Sequence, residues 1–315
     1  MPFIDLQSAD TTGSIHTTPD GSFPTTFGVP NPEKEYMVDE TIHACMECNA
    51  DMGIMFDTDA DRAGFVLPRT IDDEGNKTNY EPLNRNRLIA LLGVIFATTS
   101  PGCTIVTDST TSEGLGQFLE GNLGLYHYRY LRGYANVIRK AEEMTESGFA
   151  NAEVAIETSG HCAMKENGYV DDGTYTAVKI IGLLARMTAL GGESRPLLDL
   201  ISDLIELPFD EEFRIKVTDG LLSTTSIFEQ IATSLIERCN VVDDWSLDED
   251  NLEGVRIRLS SGGFFMIRQS LHDPVMSMQV ESSSKEDATK MVLTPLLELM
   301  SKYESLDCSA LSSAR

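Results

Sequence analysis

Residues 84–189 alternate between stretches with the length and pattern of helices and short apolar stretches with the length of strands. This alternation indicates an α/β fold, because each strand of a largely parallel sheet is followed by a helix that crosses back over the sheet. Folds of this class place their ligands beyond the carboxyl ends of the strands. The expected elements are helices at 84–98, 112–120, 134–147 and 173–189, strands at 103–107, 124–130 and 152–157, and a short extended piece at 162–169.

Two further regions flank this segment, and a chain of 315 residues is long enough for two or three domains. The first region is expected to contain a helix at 35–50, a strand at 51–56, a returning strand at 62–68 and a polar turn at 69–82. The last is expected to contain a short connecting helix at 197–206, helices at 226–239 and 285–303, and strands at 254–259, 263–268 and 275–281, with a hairpin turn at 260–263. The tail from Ser305 is expected to fray.

Three alternating carboxylates, Asp57, Asp59 and Asp61, follow the apolar stretch 54–56 and are followed at once by Arg62. Neighbouring carboxylates repel one another unless a cation neutralises them, and hard divalent cations such as Mg²⁺ or Ca²⁺ prefer oxygen ligands. The pattern therefore predicts a metal loop at the end of a strand. A solvated acidic turn is the simpler alternative.

The spacing of this motif separates the known kinds of acidic loop. An EF-hand that begins at Asp57 would need Gly and Glu where the chain has Arg62 and Pro68, so it is excluded. A haloacid-dehalogenase-type phosphatase, with Asp57 as nucleophile, usually has Thr or Val where this chain has Asp61. That alternative is weakened and stays open at this point.

A second polar cluster, Glu157, Ser159 and His161, follows the strand predicted at 152–157. A carboxylate, a hydroxyl and an imidazole together offer donors and acceptors that suit vicinal sugar hydroxyls. The other interpretation is helix capping, in which Asp171 or Asp172 is the N-cap of the helix that begins at Gly173. The two interpretations are compatible.

A third cluster, Arg268, Ser270 and His272, lies at the end of a predicted strand. Arginine offers a planar pair of donors and serine adds a hydroxyl, so the cluster can hold a phosphate. A solvated turn explains the same residues without a ligand.

The net charge of −26 argues against nucleic acid or an anionic membrane as a partner. A phosphorylated ligand would require the few cationic side chains to be gathered locally. We also expect a cytoplasmic protein, because the N-terminus has no signal-peptide pattern, although organellar import stays open. The candidate phosphate-binding cations are Arg62, Arg132, Arg139, Lys140, Lys165 and Arg268.

The order of these motifs resembles that of the α-D-phosphohexomutase superfamily, which includes phosphomannomutases and phosphoglucomutases. The resemblance runs from about residue 18 to residue 303. It implies two phosphohexomutase-type α/β domains with mixed sheets between helices, the first of them truncated, and an α+β C-terminal domain with an antiparallel sheet. The expected boundaries are 1–78 (domain 2 in part), 79–193 (domain 3), 194–207 (a linker helix) and 208–304 (domain 4). The matching segments are GSFPTTFGVPNPE (21–33), GIMFDTDADRAG (53–64), ETSGH with DDGTY (157–175) and RQSLHDP (268–274).

The resemblance also implies roles for particular residues. Members of the superfamily interconvert hexose 1- and 6-phosphates, with an active-site phosphoserine as phosphoryl donor. By this resemblance Mg²⁺ would be bound by Asp57, Asp59 and Asp61, and Arg62 would lie beside the transferring phosphate. By the same resemblance Glu157 and Ser159 would bind sugar hydroxyls, and Arg268, Ser270 and His272 would hold the phosphate that is not being transferred. The full expected set of substrate-binding residues is Glu157, Ser159, His161, Arg132, Lys165, Arg268, Ser270 and His272.

This sequence departs from the family pattern in three places. No segment resembles the phosphoserine motif of the first domain, which we expect to be missing from this chain. Tyr134 stands where relatives commonly have a histidine, and Leu271 and His272 stand where many have small residues and threonine. We therefore expect a phosphohexomutase by ancestry whose isolated chain is inactive. The alternative is a non-catalytic protein that binds Mg²⁺ and phosphosugars.

Overall fold

The computed structural model describes residues 9–23, 28–83, 85–189, 196–218, 221–270 and 273–314, with backbone alone at 221–223. The chain divides into two compact units. The first comprises Met1–Asp108, Gln117–Tyr128 and Gly133–Leu204, and the second comprises Ser109–Gly116, Arg129–Arg132 and Ile205–Arg315. No described helix is both long enough and apolar enough to cross a membrane. The four domain boundaries expected from the sequence stay a prediction.

The first unit begins with a three-stranded antiparallel sheet in the order β1-β2-β3, packed against helix α1. Phe56 pairs with Ala63, so the predicted metal loop is the connection between the first two strands. Cys45, Met55, Val66 and Tyr80 form the small core between sheet and helix. The elements are α1 (Glu35–Cys48), β1 (Gly53–Phe56), β2 (Ala63–Ile71) and β3 (Lys77–Pro82).

The polar turn predicted over 69–82 is shorter than expected, because most of this stretch forms the β2–β3 hairpin and only the part around its predicted tip, 73–76, is a turn. Its turn spans 72–76, where the Asp72 carboxylate accepts hydrogen bonds from the backbone N–H groups of Glu74 and Asn76, at 3.0 and 2.8 Å. Tyr80 is the one fully buried residue of β3. With so little apolar surface, the strand leaves almost no hydrophobic pattern in the sequence.

The second sheet is mixed, in the order β5-β4-β6-β7, as expected for this stretch. β4 and β6 are parallel, whereas β7 runs antiparallel to β6. Helix α2 is buried nearly all round, which explains its continuous apolar sequence. The elements in this stretch of the chain are α2 (Arg85–Thr99), β4 (Thr104–Asp108), α3 (Glu113–Gln117), β5 (Tyr126–Tyr130), α4 (Tyr134–Glu146), β6 (Ala152–Ile156), β7 (Cys162–Met164) and α5 (Gly173–Ala189), with a π-helical turn at Phe118–Asn122 and a 3₁₀ turn at Lys165–Asn167. All of α3 except Gln117, and β5 from Arg129 onward, belong to the second unit.

The second unit contains a six-stranded antiparallel sheet in the order β13-β8-β12-β11-β10-β9, which confirms the expected C-terminal fold. Along β12, Met276, Met278 and Val280 join the hydrophobic core, so Gln279 and Glu281 lie on the opposite face. The strands are β8 (Phe209–Val217), β9 (Trp245–Leu247), β10 (Val255–Leu259), β11 (Phe264–Gln269), β12 (Val275–Ser282) and β13 (Leu306–Asp307).

Helices cover the apolar face of this sheet, and the sequence analysis missed several of the surrounding elements. β8, β9 and β13 were not predicted, and the tail does not fray, because β13 pairs with β8 and Leu311 is fully buried. The connecting helix is shorter than expected, a 3₁₀ turn at Leu197–Ile201. The helices are α6 (Leu221–Arg238), α7 (Lys285–Ala288), α8 (Thr294–Met300) and α9 (Ser309–Ala314), with a π-helical turn at Thr289–Leu293.

Candidate active site

The three aspartates of the metal loop converge in the structure. Asp57 follows β1 directly and is buried, Asp59 is exposed, and Asp61 lies between these extremes. One carboxylate oxygen from each of the three lies within 4.8 Å of the others. The β1–β2 connection therefore gathers three oxygen ligands in one place, which is the donor set that a hard divalent cation prefers.

Asp61 shows that this loop fits a cation. Its Oδ1 atom is buried and accepts no hydrogen bond from any described residue. Burial, helped by the neighbouring Asp57 and Asp171 carboxylates, raises the pKa of Asp61 to about 6. A metal ion would remove both unfavourable features, because it would coordinate the buried Oδ1 atom and neutralise the negative charge of the neighbouring carboxylates.

Arg62 is bound to the first of these aspartates. Its Nε donates to Oδ2 of Asp57 at 2.7 Å, and its backbone N–H donates to Oδ1 at 3.2 Å. Burial alone would raise the pKa of Asp57, but these two hydrogen bonds from Arg62 hold it below its ordinary value. Asp57 is thus kept ionised at the base of the loop, and the arginine is held beside the candidate metal site.

The second loop follows β6 and carries Glu157 and Ser159. Glu157 is almost fully buried, and it accepts hydrogen bonds from the Gly133 backbone N–H at 2.5 Å and from the Ser159 hydroxyl at 2.9 Å. Gly160 turns the chain back with a φ of +98°, a conformation that glycine adopts without strain. The loop therefore holds a carboxylate and a hydroxyl in a fixed arrangement.

His161 connects the two loops. Its Nδ1 lies 2.8 Å from Asp171 Oδ2 and 3.4 Å from Asp61 Oδ2, and the ring of Tyr134 stacks on it with the centroids 4.7 Å apart. Burial by itself would lower the pKa of His161, but the hydrogen bond to Asp171 and the charge of Asp61 raise it. One ligand atom each from Asp61, His161 and Asp171 also lie within 4.8 Å of one another.

The backbones of the two loops are also joined. Arg62 and His161 form an isolated antiparallel β-bridge between the metal loop and the loop after β6. Asp57, Asp61, Arg62, Glu157 and His161 consequently belong to one constellation within the first unit. It combines a candidate metal site, a cation and a carboxylate–hydroxyl pair.

Asp108 supports this constellation and was not singled out from the sequence, whereas Asp171 and Asp172 were predicted only as helix caps. Asp108, at the end of β4, accepts hydrogen bonds from both the N–H and the hydroxyl of Thr158, at 2.6 and 2.7 Å. The two candidate cap residues divide their roles: Asp172 caps α5 by accepting from the Tyr175 N–H at 2.9 Å, whereas Asp171 binds His161. A carboxylate directly after an apolar strand was the only available signal for Asp108.

Lys165 is not brought to these loops, which corrects its place in the predicted set. Because β7 runs antiparallel to β6, the chain after Met164 returns to the amino end of β6. There Lys165 Nζ donates to Asn151 Oδ1 at 2.6 Å and lies 3.8 Å from Glu153. Glu157 and His161 lie at the other end of the same strand, so we do not place Lys165 among the substrate-binding residues.

The remaining predicted substrate-binding residues belong to the second unit. Arg132 Nη1 and Arg268 Nη2 both approach the Glu212 carboxylate, at 3.8 and 3.6 Å. The Ser270 hydroxyl accepts from the backbone N–H of Asp273 at 3.2 Å. His272 lies outside the described residues. The structure thus gathers two of the predicted phosphate-binding arginines around one carboxylate.

Comparisons with known proteins agree with this fold and these motifs. Residues 5–70 match the family model described as phosphoglucomutase/phosphomannomutase, alpha/beta/alpha domain II, and residues 84–207 match alpha/beta/alpha domain III of the same family. The chain therefore belongs to the phosphoglucomutase/phosphomannomutase family of the α-D-phosphohexomutase superfamily. The two matches cover the metal loop and the loop after β6.

Curated relatives and solved structures extend the likeness over most of the chain. A phosphomannomutase/phosphoglucomutase of Pseudomonas syringae pv. tomato is 28% identical over 279 residues, 88% of this chain and 52% of that protein. A phosphomannomutase of Salmonella montevideo is 26% identical over 269 residues, 85% of this chain and 51% of that protein. The chain thus spans about half the length of these relatives.

Among solved structures, a phosphoglucomutase/phosphomannomutase family protein of Burkholderia thailandensis is similar in fold. It superposes with a TM-score of 0.69 at 21% identity, covering 93% of this chain and 56% of that one. At this identity the likeness supports the fold, and the site residues rest on the geometry described above.

Proposed function

We propose that this chain is the metal- and sugar-binding part of a phosphohexomutase that acts on hexose 1- and 6-phosphates. The observation that carries the proposal is the convergence of Asp57, Asp59 and Asp61 on one point, next to Arg62 and joined by backbone to the loop of His161. Phosphoryl transfer depends mainly on positioning and on neutralising charge, and this arrangement offers both.

Each residue has a role in the proposed chemistry. Mg²⁺ at Asp57, Asp59 and Asp61 would supply positive charge to the phosphoryl oxygens. Arg62 would share that work from its position beside Asp57, and Glu157 and Ser159 would bind the hydroxyls of the hexose.

The second unit contributes the distal phosphate site in this proposal. Arg268 and Ser270 would hold the phosphate that is not being transferred, with the planar guanidinium giving paired hydrogen bonds. Arg132 is assigned to the same site, because it shares Glu212 with Arg268.

The phosphoryl donor is expected to come from outside the segments that carry these motifs. Ser159 donates to Glu157, and Ser270 accepts from the Asp273 backbone, so both nearby serines have structural partners. A reaction through a bisphosphate intermediate needs a nucleophile that holds a phosphoryl group between two transfers. We therefore expect the isolated chain to bind metal and phosphosugar without sustained turnover. The engagement of both serines also favours the second candidate function, a binding protein that has no catalytic role.

Metal binding is the first test. Titration with Mn²⁺, followed by EPR, should show that Asp59→Asn weakens binding at least about tenfold, or 1.4 kcal/mol. Asp73→Asn is the matched control, because Asp73 is an exposed carboxylate in the turn of the β2–β3 hairpin. Equal affinity of the wild-type chain and the triple Asn variant of the loop would contradict the proposal.

Turnover is the second test. The purified chain is mixed with glucose 1-phosphate, Mg²⁺ and glucose 1,6-bisphosphate, and glucose 6-phosphate is measured through coupled oxidation. We expect no sustained rate above the blank. A sustained rate that Asp59→Asn abolishes would show that the chain alone contains a complete active site.

A further inference from the structure

The backbone of the metal loop turns sharply at Ala60. In an extended chain, residues two apart are separated by roughly 7 Å along the strand, so three alternating carboxylates could not meet at one point. Here one oxygen from each of Asp57, Asp59 and Asp61 lies within 4.8 Å of the others. Ala60 has a φ of +59°, in the left-handed region that residues with a side chain rarely adopt. This turn redirects the chain between the second and third ligands.

A hydrogen bond from helix α5 reaches this strained residue. The backbone N–H of Gly173, the first residue of the helix, donates to the carbonyl oxygen of Ala60 at 3.0 Å. The first N–H groups of a helix have no partner inside the helix and need one elsewhere. The Asp172 carboxylate accepts the hydrogen bond of the Tyr175 N–H, whereas the Ala60 carbonyl oxygen of the metal loop accepts that of the Gly173 N–H.

Gly173 is also packed too closely for any side chain. A Cβ at this position would lie 2.6 Å from the carbonyl carbon of Arg62, 2.9 Å from the oxygen of Ala60 and 2.9 Å from the nitrogen of Ala63. All three are backbone atoms, which cannot rotate away as the end of a side chain can. The start of α5 therefore touches the loop on both sides of Asp61.

We infer that Gly173 is a positioning residue for the metal loop, which holds Ala60 in its left-handed conformation so that the three carboxylates converge. The N-terminus of the helix holds the loop backbone in its conformation through one hydrogen bond and close packing, and it contributes no metal ligand itself. This inference rests on the proposed function, because it assigns the loop to a metal ion.

The first experiment compares two glycines of the same helix. In Gly173→Ala the new methyl group must displace the loop backbone, and we expect the dissociation constant for Mn²⁺, measured by EPR, to rise at least tenfold. Gly182→Ala is the matched control, because a Cβ there meets no atom within 4 Å. Its affinity should equal that of the wild type. A folded Gly173→Ala chain with wild-type affinity would overturn the inference.

A second pair of variants applies if Gly173→Ala fails to fold. Ala60→Val places a β-branched side chain where φ is positive, which disfavours the observed turn, whereas Ala60→Gly permits it. We expect at least a tenfold loss of Mn²⁺ affinity for the valine variant and a much smaller change for the glycine variant. Equal affinities for the two variants would contradict the inference.

Amide hydrogen exchange tests the positioning role of Gly173 independently of the proposed function. In the metal-free chain the Gly173 N–H should exchange slowly by NMR, although it starts a helix, because Ala60 accepts its hydrogen bond. Fast exchange overturns the positioning role whatever the metal affinity. A protected Gly173 amide in a wild-type chain that binds no Mn²⁺ would support the loop geometry and contradict the metal site of the proposed function.

Discussion

Arg256 donates a hydrogen bond from Nη2 to Oε1 of Glu113 at 2.7 Å, although 143 positions separate the two residues in the chain. Arg256 is fully buried within the second unit, where it also donates to the backbone oxygens of Ser109 and Thr111 at 2.9 and 3.0 Å. Its Nε lies 3.2 Å from Asp248. One buried cation thus fixes the stretch that begins at Ser109 to strand β10.

Replacing this arginine should destabilise the second unit strongly. Arg256→Leu removes the donor to Glu113 and to two backbone oxygens, and breaking a buried ion pair costs about 3–5 kcal/mol. Arg258 still donates to Asp248 at 2.9 Å, so that carboxylate keeps a partner. Trp245, the only tryptophan of the chain, lies in the core of this unit, so its fluorescence during urea unfolding measures the effect.

Arg214→Leu is the matched control for this measurement. Arg214 also lies in the six-stranded sheet, but its side chain is 62% exposed and its nearest carboxylate, Asp273, is 3.8 Å away. An exposed pair of this kind contributes about 0–1 kcal/mol. If the two variants unfold at similar urea concentrations, Arg256 does not have the structural role described here.

Glu281 should make the stability of the second unit depend on pH. Burial, together with the neighbouring Asp210 carboxylate, raises the pKa of Glu281 from 4.5 to about 7. Between these two values the folded state binds more protons than the unfolded state, so the unfolding free energy falls as the pH rises from about 4.5 to 7. Arg256, Glu113 and Arg129 also act on this carboxyl group.

Glu281→Gln tests this prediction, because it removes the titratable carboxyl group and keeps the shape of the side chain. The pKa shift corresponds to about 3 kcal/mol of unfolding free energy, which the wild type loses as the pH rises and the variant does not. From pH 5 to pH 8 the unfolding free energy of the variant should therefore rise, relative to that of the wild type, by up to this amount. Unfolding is measured at both pH values through Trp245. Glu298→Gln, on the exposed side of α8, should keep the wild-type slope, and an unchanged slope in Glu281→Gln would refute the prediction.

The sequence was sufficient to predict those parts of the site whose residues are adjacent in the chain. Asp57, Asp59 and Asp61 could be read as ligands because they follow an apolar stretch without interruption. The partners of the loops could not be predicted this way. Asp171 reaches His161 because its backbone forms a β-bridge with Ala163 of β7. This bridge is a tertiary contact that the sequence does not show. For the same reason the sequence shows nothing of the contact between Gly173 and Ala60.

In the fold, too, elements with a clear local sequence pattern could be predicted, whereas elements held by distant residues could not. The strands 255–259 and 264–269 could be predicted because a glycine-containing turn joins two apolar runs. β8 was missed because Asp210, Glu211 and Glu212 interrupt its alternation with three consecutive acidic residues. All three are exposed, and Glu212 lies on the face opposite the core, where Arg268 is 3.6 Å away. The strand is therefore identified by its pairing with β12 and not by its own hydrophobic pattern.

His161 should change its protonation when its carboxylate partner is neutralised. Asp171→Asn removes the charge that raises the pKa of His161 and leaves the lowering effect of burial, so the pKa should fall. A raised histidine pKa stabilises the fold at pH values below the unfolded value of 6.5, and this contribution disappears as the pH rises through the folded value. The variant should therefore lose stability at pH 5.5 more than at pH 8.

NMR titration of the histidine ring protons measures this change directly. Asp172→Asn is the matched control, because asparagine is as good an N-cap as aspartate and the Asp172 carboxylate accepts hydrogen bonds from Tyr175 and Asn167. Its His161 pKa should remain close to that of the wild type. An Asp171→Asn variant with an unchanged His161 pKa would show that Asp171 does not control this histidine.

Glu212 should compete with phosphate for the arginines of the second unit. Its carboxylate lies 3.8 Å from Arg132 and 3.6 Å from Arg268, where an anionic ligand of the proposed site would bind. Removing its charge in Glu212→Gln weakens its attraction for both guanidinium groups and removes its repulsion of the ligand. The affinity for glucose 6-phosphate should therefore rise by about threefold, the size expected for a partly exposed ion pair.

The comparison variants decide whether this competition is specific. Glu211→Gln changes the same charge one residue earlier in β8, on the other side of the strand, and should leave the affinity unchanged. Arg268→Lys should weaken binding, because an ammonium group cannot reproduce the planar pair of donors. Calorimetry with glucose 6-phosphate and with inorganic phosphate measures all three variants. If Glu212→Gln binds phosphate no better than Glu211→Gln, the carboxylate does not occupy the anion site, and Arg132 and Arg268 lose their shared role in it.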